Sequence, residues 1–143
     1  MSKRGKMVTC LVLALVMVVS CVPLFASAAS SVSRETIYLP ENQVWADAST
    51  SVTHTSGHSS AAAQCHRVYP VYSSIDLFFN CQCRVLTTSG TVISGVHSLN
   101  ENATSITAIP LQEGMQSVSR VDFEFRGNTS KAAYAVVSYY GTN

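Results

Sequence analysis

Charge is scarce in this 143-residue chain: Asp, Glu, Lys and Arg together make up 12% of it. No basic stripe of the kind that phosphate binding requires runs through the sequence, and nucleic acid is excluded as an expected partner. There is no Gly-x-Ser-x-Gly elbow, and the Cys81-x-Cys83 spacing is not that of a usual zinc knuckle. No internal repeat and no Pro-rich or Gly-rich linker divides the chain, and no convincing amphipathic helix stands out. These absences point away from a cofactor enzyme and from a multidomain protein, so no cofactor is expected.

The first thirty residues have a clear order. Lys3, Arg4 and Lys6 precede an almost uninterrupted apolar run from Met7 to Phe25, followed by Ala26-Ser27-Ala28-Ala29. A basic cluster, an apolar run and small residues in that order make a secretory signal peptide, assigned to residues 1–29 with cleavage after Ala28 or Ala29. Two rival readings use the same residues. The apolar run is at the short edge of what spans a bilayer, which allows an uncleaved membrane anchor. Val18-Val19-Ser20-Cys21 resembles a lipoprotein box, which would attach a lipid at Cys21. Apolar residues continue past Cys21 as far as Phe25 and only then meet the small-residue site, which favours ordinary cleavage.

Without the leader, residues 30–143 carry six basic residues against eight acidic ones, a formal net charge of −2. Cys10 and Cys21 leave with the leader, and Cys65, Cys81 and Cys83 remain. Disulfides persist outside the cytoplasm, and three cysteines allow one bridge and one leftover thiol. Cys81 and Cys83 are two apart on one strand, so a bridge between them would distort it. The expected bridge runs from Cys65 to either Cys81 or Cys83.

Alternation with period two dominates the remaining sequence. From Ile75 to Val85 it sets Ile75, Leu77, Phe79, Cys81, Cys83 and Val85 on a core face, with Phe78 as the exception. From Val118 to Arg126 it sets Val121, Phe123 and Phe125 inward and Arg120, Asp122, Glu124 and Arg126 outward. Gly127-Asn128-Thr129-Ser130 then supplies turn residues, and Lys131 to Tyr140 returns as an antiparallel partner. Further strands are expected at Glu35 to Leu39, Thr91 to Leu99 and Ser105 to Leu111, the last on a sheet edge because of Pro110. The Ser/Thr-rich stretch from Ser49 to Ser60 reads as exposed strands around Ser56-Gly57, and residues 29–33 as a flexible lead-in. Seven or eight short strands make residues 30–143 a single all-β domain, a two-sheet antiparallel β-sandwich with a jelly roll as the alternative.

Each candidate for chemistry has a plain structural reading beside it. Asp122 and Glu124 share a strand face at a spacing of about 7 Å. Arg120 and Arg126 flank them and favour both charged forms, which suits a solvated face better than a glycosidase pair. Cys65 and His66 are adjacent, so a strand sends them to opposite faces, and His97 could meet a cysteine only from another strand. Around a hairpin turn at Thr55-Ser56-Gly57, His54 and His58 would lie opposite each other as two metal-ligating nitrogens. Cys81, Cys83 and Cys65 are the sulfur alternative. Trp45, Tyr69, Tyr72, Tyr134, Tyr139 and Tyr140 exceed what one small core needs. Those at the surface, with Trp45, Tyr69, Tyr72, Tyr134 and Tyr140 as candidates, suit contact with sugars or with protein partners.

The run Val121-Asp122-Phe123-Glu124-Phe125-Arg126-Gly127-Asn128, followed by Ala133-Tyr134-Ala135 and Tyr139-Tyr140-Gly141, resembles uncharacterised small secreted proteins of Gram-positive bacteria. The resemblance implies a bacterial extracellular setting and carries no activity with it. Together these readings describe a secreted, non-enzymatic protein that binds at the cell surface or in the medium, with a cell-wall polysaccharide or another protein as partner. The alternatives are a secreted antibacterial or pore-forming polypeptide, for which alone the membrane is a target, and a small secreted hydrolase. The leader reading predicts that the intact mass of the secreted protein corresponds to a chain starting at Ala29 or Ser30. A chain starting at a lipidated Cys21, or one retaining Met7 to Phe25, would contradict it.

Overall fold

The computed structural model of the chain describes residues 30–72 and 76–143. The expected signal peptide, Cys21 included, and Ile75 lie outside the described residues. Nine strands form within them: β1 (Ser31–Leu39), β2 (Ala46–Asp47), β3 (Val52–Thr53), β4 (Ser60–Pro70), β5 (Asn80–Thr87), β6 (His97–Asn100), β7 (Thr107–Pro110), β8 (Arg120–Gly127) and β9 (Ala133–Tyr140). They make two antiparallel sheets, one ordered β1-β9-β4-β7 and the other β2-β8-β5-β6, with β3 also pairing with β8. The domain is therefore the expected β-sandwich.

Its connectivity is more specific than that. β1 pairs with β9, β2 and β3 with β8, β4 with β7, and β5 with β6. Such nested pairs are one long antiparallel hairpin folded over itself, and β4–β9 and β5–β8 pairing closes the two sheets. Counting β2 and β3 as one interrupted strand, this is the order of a jelly roll.

The core follows from strand alternation where the ladder is regular. Val121, Phe123 and Phe125 of β8 are buried, as are Ala133, Ala135, Val137 and Tyr139 of β9. Small residues on the first sheet, Ala61, Ala63, Ala133 and Ala135, make room for large rings. Tyr139 packs 5.0 Å from Phe123 and 6.0 Å from Phe125, centroid to centroid. Its phenol donates a 2.6 Å hydrogen bond to Glu35 Oε2, while Glu35 Oε1 accepts the Ser49 N–H at 2.9 Å. Burial, followed by the Glu35 carboxylate, raises the Tyr139 pKa and keeps the phenol a donor.

Two β-bulges reset the alternation. In β1 the register shifts between Val32 and Glu35, where Arg34 has φ 54°, so that Val32 and then Glu35, Ile37 and Leu39 turn inward. In β4 it shifts between Cys65 and Arg67, and the buried series Ala61, Ala63, Cys65 continues at Val68. Each bulge adds one residue against β9, which remains regular between them.

Several expectations are corrected. Residues 31–33 are not a flexible lead-in, because Ser31 and Val32 pair with Tyr140 and Tyr139. β5 starts at Asn80, and Phe78 rather than Leu77 or Phe79 enters the core, since the chain before Asn80 is irregular and loses strand periodicity. The run from Thr91 to Leu99 is not one strand. The Ser94 hydroxyl accepts the Val85 N–H at 2.8 Å in place of a backbone carbonyl and donates to Gly95 O, which leaves only an isolated bridge to β5 at Val92. Residues 49–60 form no hairpin, because β3 pairs with β8 and β4 with β7 and β9, so the chain crosses between sheets. Pro110 does end an edge strand, β7.

The C-terminal residues close over this crossover. Gly141 N–H donates to Ser30 O at 3.0 Å, Asn143 N–H to Ser60 O at 3.1 Å, and the Thr142 hydroxyl accepts the Thr55 N–H at 2.7 Å. A Cβ at Gly141 would overlap the Thr53 carbonyl oxygen. Gly141→Ala is therefore expected to cost about 1–3 kcal/mol, the usual range for overpacking a fitted site. Urea denaturation should show a lower midpoint at unchanged slope; an unchanged midpoint would mean that the tail does not dock.

Candidate functional site

The outer face of the second sheet carries the alternating charges. Arg84 Nε donates to Glu124 Oε2 at 2.5 Å, and Arg126 Nε donates to Gln82 Oε1 at 2.7 Å. After β1, a 3-10 turn at Glu41–Gln43 and an extended Val44 bring Trp45 onto this face. The Arg84 guanidinium lies 4.3 Å and that of Arg126 4.4 Å from the Trp45 ring centroid. Desolvated cation–π contacts contribute up to about 2 kcal/mol each. Trp45 thus anchors the β1–β2 connection, with its ring in contact with both arginines. Glu124 is committed to Arg84, and the Asp122 Oδ1 is buried without a hydrogen-bond partner.

The candidate metal ligands are not brought together. His54 is buried, with Nδ1 against the Gly141 carbonyl and Nε2 3.2 Å from the His58 carbonyl oxygen. Both nitrogens are occupied by backbone, because the C-terminal residues cover a segment that sequence alone reads as exposed. The His58 side chain is at the surface. Among the described residues no group of three or more His, Cys, Asp or Glu side chains could hold a metal ion.

Cys65, Cys81 and Cys83 are fully buried and unbridged in the structure. Cys83 is in register with His97 across β5 and β6. Burial, and then Cys65, push the Cys83 thiol up to about 12, the reverse of what an activated nucleophile needs.

The structure forms one polar pair that sequence reasoning missed. His66, the extra residue of the β4 bulge, lies with Nε2 2.7 Å from Ser138 Oγ, and the Arg34 N–H of the β1 bulge donates to the same oxygen at 3.1 Å. Burial, followed by Arg34, lowers the His66 pKa and favours the neutral ring. This is the geometry of an activated serine. Ser138 is only 2% exposed, however, and the pair satisfies a hydroxyl shut away between two bulges.

Three tyrosines from three adjacent strands do reach the surface together. Tyr38, Tyr134 and Tyr69 are opposite one another in register on the outer face of the first sheet. Their rings stand 5.6 Å and 5.5 Å apart, and the Arg67 guanidinium lies 5.2 Å from the Tyr69 ring. Tyr38 is 45% exposed. Among the described residues none of the three hydroxyls has a protein hydrogen-bond partner. Tyr69 and Tyr134 were legible as candidates. Tyr38 was missed, although its place between the inward Ile37 and Leu39 marks it as an outward residue.

At the same end of the sheet, a cavity of about 520 Å³ is lined by Glu41, Pro70, Tyr72, Leu77, Phe78, Thr129, Lys131 and Ala132. Pro70 directly follows Tyr69, Ala132 is two residues before Tyr134, and Glu41 three residues after Tyr38. Tyr72, Leu77 and Phe79 nearby are 86%, 67% and 65% exposed. Tyr140 lies at the opposite end of β9, beside Ser31 and Ala62, and is not part of this ridge. Compared with protein-family models, with curated proteins and with solved structures, the chain matches none.

Proposed function

We propose that the chain is an exported, non-enzymatic binding protein that holds an uncharged cell-wall polysaccharide along Tyr38, Tyr134 and Tyr69. The observation that carries this reading is the ridge itself: three rings in cross-strand register, partly exposed, with free hydroxyls. A sugar presents apolar C–H faces and a rim of hydroxyls, which rings and phenols match in one contact. The rings already pack on one another, so little side-chain entropy is lost on binding. Export is supported by the order of the first 29 residues and by the resemblance to small secreted Gram-positive proteins. Jelly rolls include lectins, an analogy of fold and no more.

One observation favours an antibacterial or membrane-active polypeptide instead. Tyr72, Leu77 and Phe79 expose large apolar side chains at one end. Dye release from anionic vesicles separates that reading from the leading one. The small secreted hydrolase has the Ser138–His66 contact on its side and the burial of Ser138 against it.

A polysaccharide array identifies the ligand, and calorimetry on two variants locates its site. Tyr134→Ala, which removes the central ring, should weaken binding at least about tenfold, or 1.4 kcal/mol. Trp45→Ala should lower stability and leave affinity unchanged. Undiminished binding by Tyr134→Ala, or binding only to a protein partner, would overturn the proposal.

A further inference from the structure

Cys65 lies on β4 in one sheet, and Cys81 and Cys83 lie on β5 in the other. Packed sheets are about 10 Å apart, whereas the Cα atoms of a disulfide stand about 4.4–6.8 Å apart. A bridge therefore needs a place where the sheets are drawn together. The turn after β6 provides one. Glu101 N–H donates to Phe79 O at 2.8 Å, and Asn102 N–H donates to His66 O at 3.3 Å. The Glu101 carboxylate also accepts the Val68 N–H at 3.0 Å. Two consecutive amides thus tie the residue after Cys65 to the residue two before Cys81. Cys83 lies about 7 Å further along its strand.

We infer that Cys65 and Cys81 are the pair that oxidises, forming a disulfide between the two sheets, and that Cys83 stays a thiol. Cys65 and Cys81 are close enough to act on each other directly, which lowers the Cys65 pKa and raises that of Cys81. Burial raises the Cys81 and Cys83 thiols alike, so the choice between them rests on where the turn after β6 ties the two sheets together.

The oxidant is a small-molecule or protein disulfide. Cys65 thiolate attacks one of its sulfurs and releases the first thiol, leaving a mixed disulfide. Cys81, losing its proton, attacks the Cys65 sulfur and releases the second thiol. Two S–H bonds of the chain are broken, one S–S bond is formed, and the oxidant takes up two electrons and two protons. Both sulfurs are buried in the folded domain, so the exchange belongs to folding, before the sheets close.

In the cell this chemistry needs an oxidising compartment and so rests on the export reading. The choice of partner does not. The full chain, purified reduced and refolded in a glutathione redox buffer, is denatured, alkylated without reduction, digested and mapped by tandem mass spectrometry. The expected map joins Cys65 to Cys81 and finds Cys83 alkylated, and Cys83→Ser should leave the bridge intact. Reduction should lower the folding equilibrium constant by about 100-fold, as expected for closing a loop of this size. A bridge from Cys83 to Cys65 or to Cys81, or alkylation of all three, would overturn the inference. Free thiols in protein taken from cells, alongside the Cys65–Cys81 bridge after refolding, would support the pairing and sink the export reading.

Discussion

Packing of Tyr139 against Phe123 and Phe125 is the contact on which the domain depends. The tyrosine comes from the first sheet and the phenylalanines from the second, so the three rings span the interior and fix how the sheets face each other. Rings at these separations gain about 0.5–1.5 kcal/mol per pair beyond the area they bury. The phenol would be costly to bury alone, and Glu35 accepts its hydrogen bond. Glu35 can turn inward to do so only because the β1 bulge reverses the parity of that strand.

From this contact the outer surfaces follow. β9 must remain regular to hold Ala133, Ala135, Val137 and Tyr139 in the core, which sends Tyr134, Val136, Ser138 and Tyr140 to the other face. The bulges in β1 and β4 flank the half of β9 that carries Ser138, where they enclose its hydroxyl. The other half is paired without interruption on both sides, and there the rings of Tyr38, Tyr134 and Tyr69 align. The ridge is a product of undisturbed register next to a disturbed one. On the opposite sheet, Trp45 and the two arginines form a surface of similar composition in which the aromatic ring is already engaged.

Regular strands were legible in the sequence and irregular ones were not. β8 keeps strict alternation, so its inward residues could be read one by one, and β9 could be read as its successor after the turn at Gly127. A bulge adds a residue without any mark in composition, which hid the inward turn of Glu35 and Val68. Phe78 and Phe79 exchanged roles for a different reason, since the strand begins only at Asn80 and the irregular chain before it does not keep the alternation read from Ile75 onward. The site residues were harder. His54 sits in a Ser/Thr-rich stretch that looks exposed, and it is buried by Gly141, 87 positions away. The Trp45 stack takes one arginine from each of two strands, and the ridge takes tyrosines at 38, 69 and 134. Such groupings exist only once the nested pairing of the jelly roll is known.

The central claim is that the tyrosine ridge, and not the Trp45 face, receives the ligand. Chemical-shift mapping of the isotope-labelled chain during titration with an array-selected polysaccharide tests this directly. The account predicts the largest shifts at Tyr38, Arg67, Tyr69 and Tyr134, with Trp45, Arg84 and Arg126 unmoved. Shifts centred on Trp45 and its two arginines would contradict it.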